Sequence, residues 1–425
     1  MKHNGKAAAV NATVAPSAGR QRRILFYTSF FLSQSGASIL FIKLIEAFNH
    51  NAFEAFALLP ENTRPEVSKL KNAAALSGRI FYLPVPRVTR RLFNPVYWLP
   101  FVWHSIRAIL SMRSLLRAQR IELVHANDMR DFHAPLAAWT CGIPVVWHLR
   151  ASRSQLLLRL PFAWMYHVFA AKIIASSQRN GKQMLLRASH RQNKVAVVYD
   201  PGPYRDRFHP AVPGETARRA LKIAPRVPVI TLIAKYSPRK GHLLFLEAMT
   251  VVLQKFPQAR FLIVGGAMAG HEAYARKLRA RAQKFVDAGS LLLTGERSDV
   301  PELIAASDLI VHCSLYDDPF PGVVLEGMAV GRIVVGCKAG GVPEQITHGE
   351  DGFLFKMGDA DDLAKKIICA LSEPEKMRTV RAAAAANLEK KFSFDKSRQG
   401  LEKLYREILG MEAEKDLKIH VRRNS

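Results

Sequence analysis

Short apolar runs alternate with helix-patterned segments twice along this chain, before and after one proline-rich break. The first series holds Arg23–Thr28, Ala55–Leu59, Arg79–Leu83, Ile121–His125, Pro144–His148, Lys172–Ser176 and Lys194–Asp200. The second holds Val229–Ala234, Arg260–Gly265, Leu291–Thr294, Leu309–His312 and Ile333–Gly336. The runs lack strict period-two alternation, so they predict strands covered on both faces, as in a parallel sheet between helices. Between the series, residues 201–227 carry five prolines and read as the interdomain connection. The expected class is α/β, with two Rossmann-like domains facing each other across a cleft. The expected divisions are a disordered tail at 1–20, a first Rossmann-like domain at 21–205 and a second at 206–392. Residues 393–425 complete the chain as a helix, packing back on the N-terminal domain, and a basic tail.

Charge is the compositional anomaly. The 425 residues include 62 Lys and Arg against 35 Asp and Glu, a formal net charge of +27. Residues 1–210 hold 29 basic and 9 acidic side chains, the remainder 33 and 26. Such an excess suits nucleic acid, anionic lipid or phosphorylated ligands. No zinc spacing, RRM signature or helix-turn-helix pattern supports a specific nucleic-acid partner. The stretch Arg87–Arg120 instead interleaves arginines with Phe93, Tyr97, Trp98, Phe101 and Trp103, a pattern that suits an anionic membrane surface. An ordinary amphipathic helix is the competing reading of that stretch. No apolar run reaches the roughly 18 residues of a spanning helix, and residues 1–19 lack an apolar signal core. Cys141, Cys313, Cys337 and Cys369 form no CxxC pair and read as reduced thiols. The expected location is cytoplasmic.

The segment most informative about chemistry is Ser314–Ala329. It leaves a strand and enters a helix, at the strand edge where open α/β sheets bind ligands. Asp318 and Glu326 lie on it with seven residues between them. Pro321-Gly322 lets the backbone approach a ligand, and a helix N-terminus attracts phosphate. Glu326, near the first turn, can hold a ribose diol by two hydrogen bonds. Upstream, Lys235 and Lys240 occupy one strand-to-helix loop and can flank a diphosphate. Downstream, Gly340-Gly-Val-Pro-Glu344 forms a turn whose backbone can line a pocket. A dinucleotide oxidoreductase is disfavoured, because Gly265-Gly266 lacks the remaining spacing of a G-x-G-x-x-G fingerprint.

These segments, in this order, resemble the large retaining GT-B glycosyltransferase family numbered four. The family's G-R-x-x-x-x-K-G segment reads here as Ala234-Lys-Tyr-Ser-Pro-Arg-Lys-Gly241. Its E-x7-E reads as Asp318 to Glu326, and its G-G-x-P-E as Gly340 to Glu344. Two positions depart: Lys235 replaces Arg, and Asp318 replaces the first Glu. The resemblance implies a hexosyltransferase using a UDP- or GDP-linked sugar. Its acceptor would be a hydroxyl of a lipid-linked, lipopolysaccharide or polysaccharide molecule. It assigns the diphosphate to Lys235 and Lys240, the ribose to Glu326 and the donor sugar to Asp318. Backbone amides at Gly322, Val323 and Val324 would hold sugar or phosphate oxygens, and the Glu296-Arg297 segment the base. Gly36 would let the first-domain loop approach the diphosphate, and His148 would face the cleft and touch the sugar. His125, Asp128, Arg150 and Arg153 are acceptor-side candidates. An inactive nucleotide-sugar-binding relative is the alternative. Asp359-Ala-Asp361 spells D-x-D, but sits at a helix start where acids cap; neither a metal nor a cofactor is expected.

Overall fold

In the computed structural model, the first-half runs form one parallel sheet. The described residues are 20–29, 31, 36–48, 52–67, 78–88, 94–150, 156–184, 194–203, 206–268 and 270–411. The strands are β1 (Arg22–Tyr27), β2 (Phe53–Pro60), β3 (Ile80–Leu83), β4 (Leu123–Ala126), β5 (Val145–Leu149), β6 (Lys172–Ala175) and β7 (Val195–Val197). Their order is β3-β2-β1-β4-β5-β6-β7. The second sheet contains β8 (Val229–Ile233), β9 (Arg260–Val264), β10 (Leu291–Gly295), β11 (Leu309–His312), β12 (Ile333–Cys337) and β13 (Phe353–Phe355), ordered β10-β9-β8-β11-β12-β13. Neighbouring strands pair in parallel in both sheets. Every residue of β4, β5, β11 and β12 is buried. Helices cover both sheet faces, which is why alternation is missing from the sequence. The three-residue strand β13 was not expected; so short an apolar run carries little pattern.

Each sheet reverses its direction of growth once, between β1 and β4 and between β8 and β11. Loops leaving these strands diverge and open a crevice at the strand C-terminal ends. The proline-rich connection is only partly a linker. Its helix Gly214–Ala220 packs Ala217 against Leu303 and Ala306 of the second domain.

The chain then crosses between domains again. Helix Pro374–Phe392 packs on the second domain through Ala384, Leu388 and Phe392. The Ser393 side chain accepts the Lys396 amide and so starts helix Phe394–Ile408, a typical N-cap. That helix inserts Leu401 and Tyr405 into the first-domain core beside Phe26, Phe48 and Phe53. Ser397 Oγ donates to the Tyr199 carbonyl at 2.7 Å, and the Gly202 amide to the Phe392 carbonyl at 2.6 Å. These bonds tie both crossing segments together.

Candidate active site

A cavity of about 440 Å³ lies at the second sheet's switch point, between the ends of β8 and β11. Lys240, His312, Asp318, Pro321, Gly322 and Val323 are among its lining residues. Lys240 reaches it because the loop after β8 ends in the turn Pro238–Lys240, followed by Gly241 at φ 70°. A Cβ at Gly241 would overlap the Cys313 carbonyl oxygen. This close approach joins the lysine loop to the loop after β11.

Lys240 Nζ donates to Asp318 Oδ2 at 2.7 Å, and Tyr316 OH donates to the same oxygen at 3.1 Å. His312 Nε2 stands 3.5 Å from it. Burial alone would push the Asp318 carboxyl up, but the His312 hydrogen bond and the Lys240 charge hold it well below the usual carboxylate range. Burial likewise pulls Lys240 down, and Asp318 and Tyr316 more than offset it. The pair therefore stays ionised at neutral pH. His312 and Tyr316 were not singled out in the sequence; their position flanking Ser314, just before Asp318, was the available signal.

Glu326 lies one turn behind Gly322 on helix Gly322–Ala329, with Oε1 3.6 Å from where a Gly322 Cβ would stand. Burial raises its carboxyl to about 7, and Arg207 works weakly in the other direction. Protonation removes acceptor capacity, so a ligand that donates hydrogen bonds to this carboxylate should bind more weakly as pH drops from 8 to 6. In Glu326→Gln that pH dependence should be flat. The stability sign is opposite: Glu326 stabilises the unliganded fold below its ordinary value of 4.5, and this is lost as pH rises through about 7. Ligand titrations at three pH values check the binding half of this statement.

The glycine turn does something other than line the cavity. The Gly340 amide donates to Asp317 Oδ1 at 2.9 Å, and the Gly341 amide to the Asp318 carbonyl at 2.9 Å. Gly340 has φ 58°, and a Cβ there would collide with the Asp318 backbone. The turn is a mould for the acidic loop. Glu344, at its end, accepts the Gln178 and Arg179 amides of the first domain at 2.8 and 2.9 Å. Asp317 accepts from Gln183 and stands 3.7 Å from Arg179. The acidic loop is thus braced against the opposite domain.

Several expected residues have other surroundings. Lys235 is exposed and is not on the cavity wall, unlike Lys240. Val324 is fully buried, so only its backbone is available. Its amide points to the Pro321 carbonyl at 3.4 Å. The Arg297 guanidinium makes a two-pronged contact with Asp299, at 2.8 and 2.6 Å. Glu296 is exposed beside Gly266. Asp359 accepts the Asp362 amide at 2.9 Å as a helix cap, and no group of three metal-ligating side chains occurs among the described residues.

In the first domain, Gly36 opens helix Gly36–Ala47. His125 does not reach an acceptor: it is fully buried and its Nδ1 shares a 2.6 Å hydrogen bond with Tyr405 OH. Arg150 is an internal strut, donating to Asn127 at 2.6 Å with Nε 3.0 Å from Asp200. Asp128 accepts from Arg130 Nε at 2.9 Å. His148 is 1 % exposed, closed off beside Asp200, rather than displayed on the cleft wall. Burial, Arg150 and His125 together keep it neutral. Arg153 lies outside the described residues. Asp131, which was not anticipated, accepts Ser29 N–H and Oγ–H at 2.7 and 2.6 Å and pins the loop after β1. Burial and Asp128 raise its carboxyl to about 7, against the pull of Ser29.

Comparison with known proteins accords with this geometry. Residues 214–387 match the family model described as Glycosyl transferases group 1, and residues 36–201 match Glycosyltransferase Family 4. The Escherichia coli UDP-Gal:alpha-D-GlcNAc-diphosphoundecaprenol alpha-1,3-galactosyltransferase is 24% identical over 277 residues, 62% of this chain and 70% of that enzyme. The Campylobacter jejuni N,N'-diacetylbacillosaminyl-diphospho-undecaprenol alpha-1,3-N-acetylgalactosaminyltransferase is 26% identical over 376 residues, 84% and 92% of the two chains. Among solved structures, Anabaena HepE in complex with UDP and glucose aligns with a TM-score of 0.73. It is 24% identical and covers 91% of this chain and 99% of its own. A Rickettsia africae glycosyltransferase aligns with a TM-score of 0.76 at 18% identity, covering 92% and 99%. These structural likenesses establish the fold.

Proposed function

The chain belongs to the family 4 glycosyltransferases and has the GT-B fold, and from that premise we propose the donor, acceptor and route. A sugar moves, with retention at its anomeric carbon, from a UDP- or GDP-linked donor to a hydroxyl of a lipid-linked, lipopolysaccharide or polysaccharide acceptor. The observation that carries this is the ionised Lys240–Asp318 pair in a switch-point cavity, beside the opening turn of helix Gly322–Ala329. A fixed ammonium and free helix amides complement a diphosphate that gains charge as it leaves. Asp318 would accept hydroxyl protons of the donor sugar, and Glu326 those of the ribose. Lys235, exposed and next in the chain to the lining residue Ala234, would supply longer-range attraction. The two relatives named above carry diphosphoundecaprenol acceptors in their names, which supports the lipid-linked reading.

In the proposed route the bond from anomeric carbon to diphosphate oxygen breaks, and the acceptor oxygen bonds the same face. The acceptor proton goes to the leaving phosphate, so no side chain serves as nucleophile or base. Lys240 and the helix dipole supply the charge that a metal ion would otherwise supply, and activity is expected to survive chelation by EDTA. Transfer from a panel of UDP- and GDP-sugars onto a diphosphate-lipid-linked sugar tests the reading. Wild type should turn over with one donor and Glu326→Ala should lose most of the rate. Equal rates in both would remove Glu326 from the site, and no turnover with any donor would overturn the function.

The first domain also carries a surface for an anionic membrane, which would place the enzyme peripherally at the inner face of the cytoplasmic membrane. Helix Trp98–Ala118 buries Ser105, Ala108, Met112 and Leu116 against the domain. Its outer side nevertheless shows Leu99 (83 % exposed), Trp103 (60 %), Trp98, Ile106 and Leu110. Exposed Arg107 and Arg117 lie on the same helix. An apolar outer face bordered by cations suits insertion among acidic lipids. Among the described residues, no helix is long and apolar enough to cross a membrane. Wild type should float with anionic vesicles at low salt, and Leu99→Glu with Trp103→Glu should lose this. Absence of wild-type binding would sink the membrane assignment.

A further inference from the structure

A second cavity, of about 540 Å³, opens at the other edge of the C-terminal sheet, where β8, β11 and β12 begin. The donor cleft lies at the strand C-terminal ends, about 15 Å away at roughly 3.3 Å per strand residue. One wall is apolar, made by Leu309, Ile333, Leu371 and Met377. The other carries Arg218, Arg219, Arg226 and Arg381, against only Glu215 and Asp308. Arg332 immediately precedes the lining residue Ile333.

These arginines are not equivalent. Arg218 is a structural tie: its Nη2 donates to Asp308 at 2.9 Å and its Nε to the Ala306 carbonyl at 2.8 Å. Asp308 also accepts the Val229 amide at 2.8 Å, so its charge is already engaged. The Nε atoms of Arg332 and Arg381 are buried and have no hydrogen-bond partner. Burial lowers the proton affinity of Arg332, Asp308 raises it, and Arg381 and Arg218 lower it again. Three guanidinium groups therefore crowd one another around one neutralised acid. Buried donors without acceptors and like charges at close range are both costly. A bound anion would relieve the like-charge crowding, and the planar guanidinium fork matches phosphate oxygens.

We propose that this cavity is a second ligand site, which takes a small organic phosphate. Arg381 holds the phosphate, Arg332 adds positive charge next to the lining residue Ile333, Arg226 closes the rim, and the apolar body lies against Leu309, Ile333 and Met377. The site is separate from the donor cleft and forms no part of the transfer chemistry described above.

Calorimetric titration of the full chain with phenyl phosphate tests this, with inorganic phosphate as the bare head group. Saturable binding at one site per chain is expected, weakened at least tenfold in Arg381→Gln and unchanged in Lys240→Met. Inorganic phosphate should bind more weakly than phenyl phosphate. Should Arg381→Gln fail to fold, Arg226→Gln, at an exposed rim position, should weaken binding at least threefold. No saturable binding overturns the proposal. So does equal affinity in the arginine variants, or loss of binding in Lys240→Met, which would place phenyl phosphate in the donor cleft. Equal affinity for the two phosphates would overturn the role of the apolar wall.

Discussion

Lys240→Met should lower kcat/KM for the nucleotide-sugar about a thousandfold, chiefly through kcat. The ammonium is fixed 2.7 Å from Asp318, so in the proposed route it is preorganised where charge develops on the leaving diphosphate. Removing one such stabiliser typically costs 10²–10³ in rate. The substitution also strips Asp318 of its cation, leaving Tyr316 and His312 as its side-chain partners. A buried carboxylate that loses its counter-charge is destabilising, and Lys240 keeps 29% of its side chain exposed, so the cost in stability is reduced by solvent. Because the folded Asp318 carboxyl lies below its ordinary value of 3.8, the pair's contribution is present above that pH and lost in acid. Steady-state rates at saturating donor, beside Lys240→Arg, separate the two effects. The arginine variant should retain more rate because it keeps the charge. Unchanged kcat in Lys240→Met would remove this ammonium from the transition state.

The second large effect is expected at a residue with no side chain. Gly241→Ala should cost roughly 3 kcal/mol or more of stability and most of the activity together. Its φ of 70° is one that an L side chain adopts at a cost of about 1 kcal/mol. The added methyl would also meet the Cys313 carbonyl oxygen, with Cys313 Sγ close by. Neither is the far end of a flexible side chain, so the loops after β8 and β11 must separate. Those loops carry Lys240 and Asp318. Thermal unfolding and donor binding should therefore fall in parallel. A variant with an unchanged melting temperature and full activity would show that the two loops can part without consequence.

Most of the fold was legible from the chain. The lack of alternation in the runs reflects burial on both faces, and the Pro-rich stretch divides the two sheets. Lys240, Asp318 and Glu326 could be picked out as candidates because their spacing is local to single loops and one helix turn. Glu344, Asp131 and Tyr316 act through contacts that spacing does not encode. Gly340-Gly341 read as a pocket wall, whereas the turn instead shapes the backbone of the acidic loop. His125 and Arg150 failed for the same reason in reverse. A histidine ending a strand looks available until Tyr405, 280 positions away, closes over it. Arg150 looks free until Asn127 and Asp200 engage it.

The helix Phe394–Ile408 has a consequence for synthesis and for dissection. Leu401 and Tyr405 complete the hydrophobic core of the first domain, yet they leave the ribosome after the whole second domain. The early-made half must wait with an unfilled groove beside Phe26, Phe48 and Phe53 while the second domain emerges. Contacts of such sequence separation are slow to form. The amino-terminal domain expressed alone would lack its last wedge, and a stop codon before residue 400 would damage the domain farthest from it in sequence.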